Sequence, residues 1–104
     1  MLLKVKIANT FPKKLIGLMF KINIDYGLLI PNSKSNHTFN MRENIDVILL
    51  DSNFMVLMIN RNVKKNKIIN FYTKEKHPYI LELPEGASKK IKVLDVIDIN
   101  NLNI

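Results

Sequence analysis

The residues best suited to chemistry lie near the middle of the chain, within the stretch HTFNMRENIDVILLD at positions 37–51. They are His37, Thr38, Arg42 and Asp46, and they stand beside the apolar run 45–50. An arginine guanidinium is planar, permanently charged and suited to binding a carboxylate or a phosphate. Asp46 is the nearest acidic side chain that could orient it. The spacing therefore predicts a site for a small anionic ligand.

The same residues also allow a structural interpretation, which the sequence favours. An Arg42–Asp46 ion pair would brace the bend between two strands, because a charge beside an apolar run needs a partner. A lone histidine on an apolar face is more often a hydrogen-bonded core residue than a base. The chain has no serine in a nucleophile-elbow pattern and no phosphate-binding glycine loop. A cofactor-free, hydrolase-like enzyme using His37 and Arg42 is thus the less favoured alternative, and no catalytic residue is assigned.

Composition narrows the chemistry further. The chain has no cysteine, which excludes disulfides, thiolate nucleophiles and cysteine-ligated metals. Its two histidines, His37 and His77, are too far apart in sequence to match a metal-ligand motif. The sequence therefore predicts neither a metal nor a cofactor.

The net charge of +7 raises the question of nucleic-acid binding. Most lysines are scattered, but Arg61 is followed by a cluster of Lys64, Lys65 and Lys67. No aromatic residues that could stack on bases are interleaved with this cluster. A solvated loop is the favoured interpretation, and a weak nucleic-acid site is the alternative.

Length and hydropathy set the expected context. The 104 residues are enough for one domain with one modest core, and we expect a single domain over 1–104. No apolar stretch approaches the roughly 20 residues that span a membrane, and the first ten residues do not resemble a signal peptide. We therefore expect a cytoplasmic protein with no membrane partner, whose partner is a small molecule or another protein.

Short apolar runs predict an α+β fold dominated by antiparallel strands, arranged as a compact, partly closed, barrel-like sheet. One principal short helix is predicted at about 10–20, capped by Asn9 or Thr10, and a short helical turn near 87–91. Strands 45–50 and 54–59 should form a hairpin, and a terminal strand at 93–99 should place Val96 and Ile97 in the core. The other predicted strands are 3–7, 27–30, 37–41, 68–72 and 79–83.

Four blocks of the sequence carry a family resemblance. They are residues 8–10 with 17–20, residues 27–29, residues 37–39 with 41–42 and 45–47, and residues 81–84 with 86. In order and spacing they resemble domain-of-unknown-function family 192 of bacterial and archaeal proteins. The resemblance implies a compact, mostly β domain with a short helix, and it implies no established activity.

The chain departs from the family pattern at several positions. Ser33 stands where relatives usually have cysteine, which counts against a thiol-dependent activity. Glu43-Asn44 replaces a Phe-Pro pair, so φ at the bend after Arg42 is not fixed by proline. Relatives also have a glycine in the turn near Asn53 and a later glycine where this chain has Leu94.

Overall fold

Eight β-strands make up the regular structure of the computed structural model, which describes residues 2–8, 26–38, 41 and 43–101. In chain order they are β1 (Leu2–Ile7), β2 (Gly27–Pro31), β3 (Ser35–His37), β4 (Ile45–Leu50), β5 (Val56–Val63), β6 (Ile68–Asn70), β7 (Tyr79–Pro84) and β8 (Asp98–Asn101).

Six of these strands form one mixed sheet in the order β5-β4-β7-β2-β1-β8. β1 runs parallel to β2 and to β8, whereas β2–β7, β4–β7 and β4–β5 are antiparallel pairs. β3 and β6 form a separate antiparallel pair. The β4–β5 pairing confirms the predicted hairpin.

β4 and β7 lie in the middle of the large sheet and are buried on both faces. Because side chains alternate along a strand, each of these strands contributes to two separate cores. The first core contains Ala8, Leu28, Ile30, Met41, Ile45, Val47, Leu49, Phe71 and Ile80. The second core, on the other face, contains Val5, Leu29, Ile48, Leu50, Val56, Leu81, Leu83, Ile91 and Ile97.

The predicted α+β class with a partly closed barrel is wrong for the described part of the chain. The large sheet is open, with β5 at one edge and β8 at the other, and the described residues contain no helix. Closing a barrel requires its two edge strands to pair. Here residues 94–97, and not β8, contact the outer side of β5 at its start, next to an isolated bridge between Met55 and Val96. The predicted helix at about 10–20 lies outside the described residues.

The helical turn predicted near 87–91 is also wrong, because residues 84–91 form a series of separate turns. Ala87 donates its backbone N–H to the Pro84 carbonyl, and Ile91 donates to the Ser88 carbonyl. Lys89 likewise donates to the Gly86 carbonyl, and Gly86, just before the predicted helical turn, has a left-handed φ of 86°. The backbone N–H groups of Gly86 and Ser88 also donate to the carboxylate of the Asp46 side chain. We call residues 84–91 the Asp46 segment, after that side chain.

Candidate functional site

Asp46 is the acidic centre of the site and is only 1% exposed, although it lies in an otherwise apolar strand. Its Oδ1 accepts the backbone N–H of Asn62 at 2.9 Å. Its Oδ2 accepts the backbone N–H groups of Gly86 at 3.2 Å and Ser88 at 3.1 Å, and the Ser88 hydroxyl at 2.5 Å. A carboxylate buried in this way is stabilised by hydrogen bonds to its charged form. Asp46 therefore joins β4 to β5 and to the Asp46 segment.

A β-bulge in β5 supplies the first of these donors. The register with β4 shifts here, so Arg61 and Asn62 together oppose Asp46. Asn62 has a φ of 54°, a left-handed conformation that asparagine tolerates better than most residues. Its side-chain Oδ1 accepts a hydrogen bond from Asn44 Nδ2 at 3.0 Å. Bulges commonly redirect a side chain next to a site, and this one directs Arg61 towards the Asp46 segment.

Arg61 is exposed, yet three hydrogen bonds fix its guanidinium. Nε donates to Ser88 Oγ at 3.1 Å, and Nη2 donates to the carbonyls of Ser88 at 3.2 Å and Ile91 at 2.6 Å. The Ser88 hydroxyl thus accepts from Arg61 while it donates to Asp46. This chain of contacts links a surface cation to a buried carboxylate through one serine. Arg61 and Asp46 hold the same turn from its two sides.

An open pocket of about 350 Å³ lies next to this network, with Asp46 and Arg61 in its lining. Its lining residues are Asp46, Arg61, Asn62, Glu85, Gly86 and Lys89. A volume of this size is at the small end of the range for ligand sites. The pocket is lined by two cationic side chains and one amide. It is also lined by two carboxylates: Glu85, which is exposed, and Asp46, whose oxygens already accept four hydrogen bonds. The pocket therefore brings charged groups of both signs together at the surface.

Thr38, a predicted site residue, has a different set of partners. Its side chain is fully buried, and its Oγ1 donates to the Lys64 carbonyl at 2.7 Å and accepts the Lys67 N–H at 2.7 Å. Its backbone carbonyl accepts the N–H of Asn66 at 3.0 Å. Thr38 therefore shapes residues 64–67, which we call the Thr38 loop. His37, half-buried on β3, is paired in register with Ile68 of β6.

The structure thus places Thr38 and Asp46, two of the four predicted site residues, in separate hydrogen-bond networks. Arg42 lies outside the described residues, so the predicted Arg42–Asp46 pair stays a prediction. The structure also separates Arg61 from the lysines with which it was grouped. The Arg61 guanidinium contacts the Asp46 segment, whereas Lys64 and Lys67 belong to the Thr38 loop.

Sequence reasoning missed two residues that line the pocket, Asn62 and Lys89. It also missed Ser88, which contacts both Asp46 and Arg61. The sequence Pro84-Glu85-Gly86 predicted a turn, but it did not predict that this turn would surround the Asp46 side chain. For Ser88 the sequence carries no signal, because its role depends on a contact 42 positions away. The described residues contain no group of His, Cys, Asp or Glu that could hold a metal ion. They also contain no helix long and apolar enough to cross a membrane.

Comparison with known families gives a match over most of the chain. Residues 1–99 match the model of domain-of-unknown-function family 192, described as uncharacterized ACR. A UPF0127 protein of Pyrococcus horikoshii is 40% identical over 95 residues, which cover 86% of this chain and 79% of that protein. UPF0127 proteins of Thermococcus sibiricus and Thermococcus kodakarensis are 39% and 36% identical. The matched regions cover only 56% and 59% of those two relatives.

Two crystal structures share the fold. A protein of unknown function from Novosphingobium aromaticivorans gives a TM-score of 0.69 at 19% identity, covering 85% of this chain and 69% of that one. A protein from Sinorhizobium meliloti, named as a candidate transcription regulator, gives 0.70 at 25% identity. That match covers 86% of this chain and 74% of the other.

Proposed function

We propose that this chain, which belongs to the uncharacterised domain-of-unknown-function family 192, is a non-catalytic binding module for a small anionic ligand. The observation that carries the proposal is the pair of cations, Arg61 and Lys89, lining one open pocket. Asp46 is buried and already accepts four hydrogen bonds, so its carboxylate is shielded from direct contact with a ligand. Glu85 is then the one exposed carboxylate in the pocket lining, beside two exposed cations.

The fixed position of Arg61 supports binding. Its Nε and Nη2 groups are engaged by the Asp46 segment, so the guanidinium is already oriented before a ligand arrives. A donor oriented in advance loses less conformational entropy on binding, and affinity rises accordingly. The Arg61 Nη1 group and the Lys89 ammonium would supply the contacts to the anionic group.

Titration calorimetry with citrate, succinate and inorganic phosphate tests the proposal. We expect at least one of these anions to bind, and Lys89→Gln to weaken that binding about tenfold, or roughly 1.4 kcal/mol. Lys89 is exposed, so this change should leave the fold intact. Lys90→Gln is the matched control, because Lys90 is an exposed neighbour that does not line the pocket. No binding by any of the three anions, or equal loss in both variants, would contradict the proposal.

Three further predictions from the sequence stay proposals. They are a ligand site at His37, Thr38, Arg42 and Asp46, a protein partner in place of a small molecule, and a cytoplasmic location. A hydrolase-like activity through His37 and Arg42 is the enzymatic alternative. Hydrolase turnover that persists through purification and disappears in His37→Ala would favour it over binding alone.

Nucleic-acid binding is a second candidate, favoured by one feature of the structure. Lys64, Lys65 and Lys67 are exposed together on the Thr38 loop, whose backbone is held by Thr38. The name of the Sinorhizobium structure is compatible with such a role. Retention on immobilised DNA or RNA that falls with salt and disappears in Lys64→Gln/Lys65→Gln/Lys67→Gln would support it. No retention at low salt would remove it.

A further inference from the structure

Residues 90–96 expose an unusual amount of apolar surface. Val93 is 53% exposed, Leu94 is 68% exposed and Val96 is 53% exposed. Lys90 and Lys92, in the same short segment, are exposed as well. Single exposed apolar residues are common, whereas a group of three within four positions is a feature that interaction surfaces share. We call these five residues the lysine–valine tip.

The backbone of the tip is well anchored. Residues 92–95 form a turn in which the Asp95 N–H donates to the Lys92 carbonyl at 3.0 Å, with Val93 and Leu94 at its two central positions. Asp95 Oδ2 accepts the Lys92 N–H at 2.9 Å. Leu94 donates to the Val56 carbonyl at 2.8 Å, which fastens the turn to β5. The Val93 and Leu94 side chains therefore project from a fixed base.

Leu94 is strained in this position. Its φ is 78°, in the left-handed region that a turn of this kind normally fills with glycine. A leucine there destabilises the fold, because its Cβ crowds the backbone in this conformation. Its exposed side chain recovers little of that cost through packing. Backbone strain that packing does not offset is typical of a residue that contacts a binding partner.

Charge and shape identify the partner. The apolar side chains stand at the tip of a turn and do not line a groove, so they suit insertion into a soft surface. The two exposed lysines beside them attract negative charge, and the turn also carries Asp95, whose Oδ2 accepts the backbone N–H of Lys92. With a net charge of +7, a second copy of the chain is an unfavourable occupant.

We infer that the lysine–valine tip docks onto an anionic phospholipid surface, with Val93, Leu94 and Val96 entering the headgroup layer and Lys90 and Lys92 contacting the acidic lipids. This departs from the sequence-based expectation of no membrane partner. It is independent of the proposed pocket function, because none of the five residues lines that pocket. The protein would lie on the membrane without spanning it.

Cosedimentation with vesicles tests the inference. We expect binding to a two-to-one mixture of phosphatidylcholine and phosphatidylserine, and none to phosphatidylcholine alone. Lys90→Gln/Lys92→Gln should weaken binding roughly 25-fold, since each lysine near such a surface contributes about fivefold. Leu94→Gly should weaken it roughly tenfold, which corresponds to about two buried methylene groups. Glycine suits the φ of this turn, so loss of binding in that variant cannot be ascribed to unfolding.

The matched control is Lys64→Gln/Lys65→Gln, which removes the same charge from the Thr38 loop and should reduce binding much less. An equal loss in both double variants would mean that overall charge is responsible, and the inference would fail. It would also fail if Leu94→Gly bound like the parent protein, or if no vesicle bound. Finally, tighter binding to soluble polyglutamate with the same dependence on Leu94 would identify an acidic protein as the partner and overturn the inference.

Discussion

The Asp46 segment and the Thr38 loop are both held by one buried side chain, which is charged in the first region and neutral in the second. Each is an irregular stretch whose backbone groups are satisfied by a buried side chain from a distant part of the chain. Asp46 uses a charged carboxylate with four donors, whereas Thr38 uses a neutral hydroxyl that donates once and accepts once at short distance. Arg61 completes the first arrangement at the surface. The charged arrangement thus both holds a turn and lines the pocket beside it.

The largest effect should follow from removing Asp46. In Asp46→Ala, the Ser88 hydroxyl and the three backbone N–H groups lose their acceptor, and we expect a loss of about 3–5 kcal/mol in the free energy of unfolding. Urea denaturation measures this value. Asp46→Asn, which keeps the shape and one acceptor oxygen, should lose clearly less. A loss below about 1 kcal/mol in Asp46→Ala would mean that water replaces the carboxylate, and the contrast between the two regions would disappear.

A smaller effect is expected at Thr38. Thr38→Val keeps the shape but removes the hydroxyl, leaving the Lys67 N–H and the Lys64 carbonyl without their side-chain partner. We expect a loss of about 1–3 kcal/mol by urea denaturation, since the lost bonds are uncharged. Thr38→Ser keeps the hydroxyl and is the control, with a smaller loss from the missing methyl group. A loss in Thr38→Val as large as that in Asp46→Ala would refute the claim that charge distinguishes the two regions.

Some elements of the fold were predictable from local sequence and others were not. Strands β4, β5 and β7 were foreseeable because a continuous or alternating apolar run determines them locally. Ile97 was correctly placed in the core, but Val96 was not, since it is 53% exposed. The chain turns over residues 92–95 before it reaches β8, so the strand predicted at 93–99 begins later, at Asp98.

The family pattern carried information that periodicity lacked. The family resemblance implies a glycine where this chain has Leu94, and Leu94 has a left-handed backbone with a φ of 78°. The open sheet was not foreseeable, because strand order depends on pairings between distant segments. The partners of Asp46 were not foreseeable for the same reason. Asp46 itself was noticed because a carboxylate in an apolar strand needs a partner, but the partner predicted from the sequence was Arg42 and not the donors of Asn62, Gly86 and Ser88.

The smallest expected effect comes from the left-handed residue that each region contains, Gly86 at a φ of 86° and Asn66 at 61°. In Gly86→Ala the new methyl group meets no atom within 4 Å, so only backbone strain remains. We expect a loss of about 1 kcal/mol, the left-handed penalty less the entropy that alanine removes from the unfolded chain.

Asn66→Gly should change stability by less than about 0.5 kcal/mol, because relief of strain and added unfolded-state entropy oppose each other. Thermal denaturation of both variants, each also made in a Thr38→Val background, tests whether the regions are independent. Additive losses for Gly86→Ala with Thr38→Val would show that the Asp46 segment keeps its conformation when the Thr38 loop is weakened. Coupling above about 0.5 kcal/mol would instead join the two into one cooperative unit, and the pocket would then depend on both.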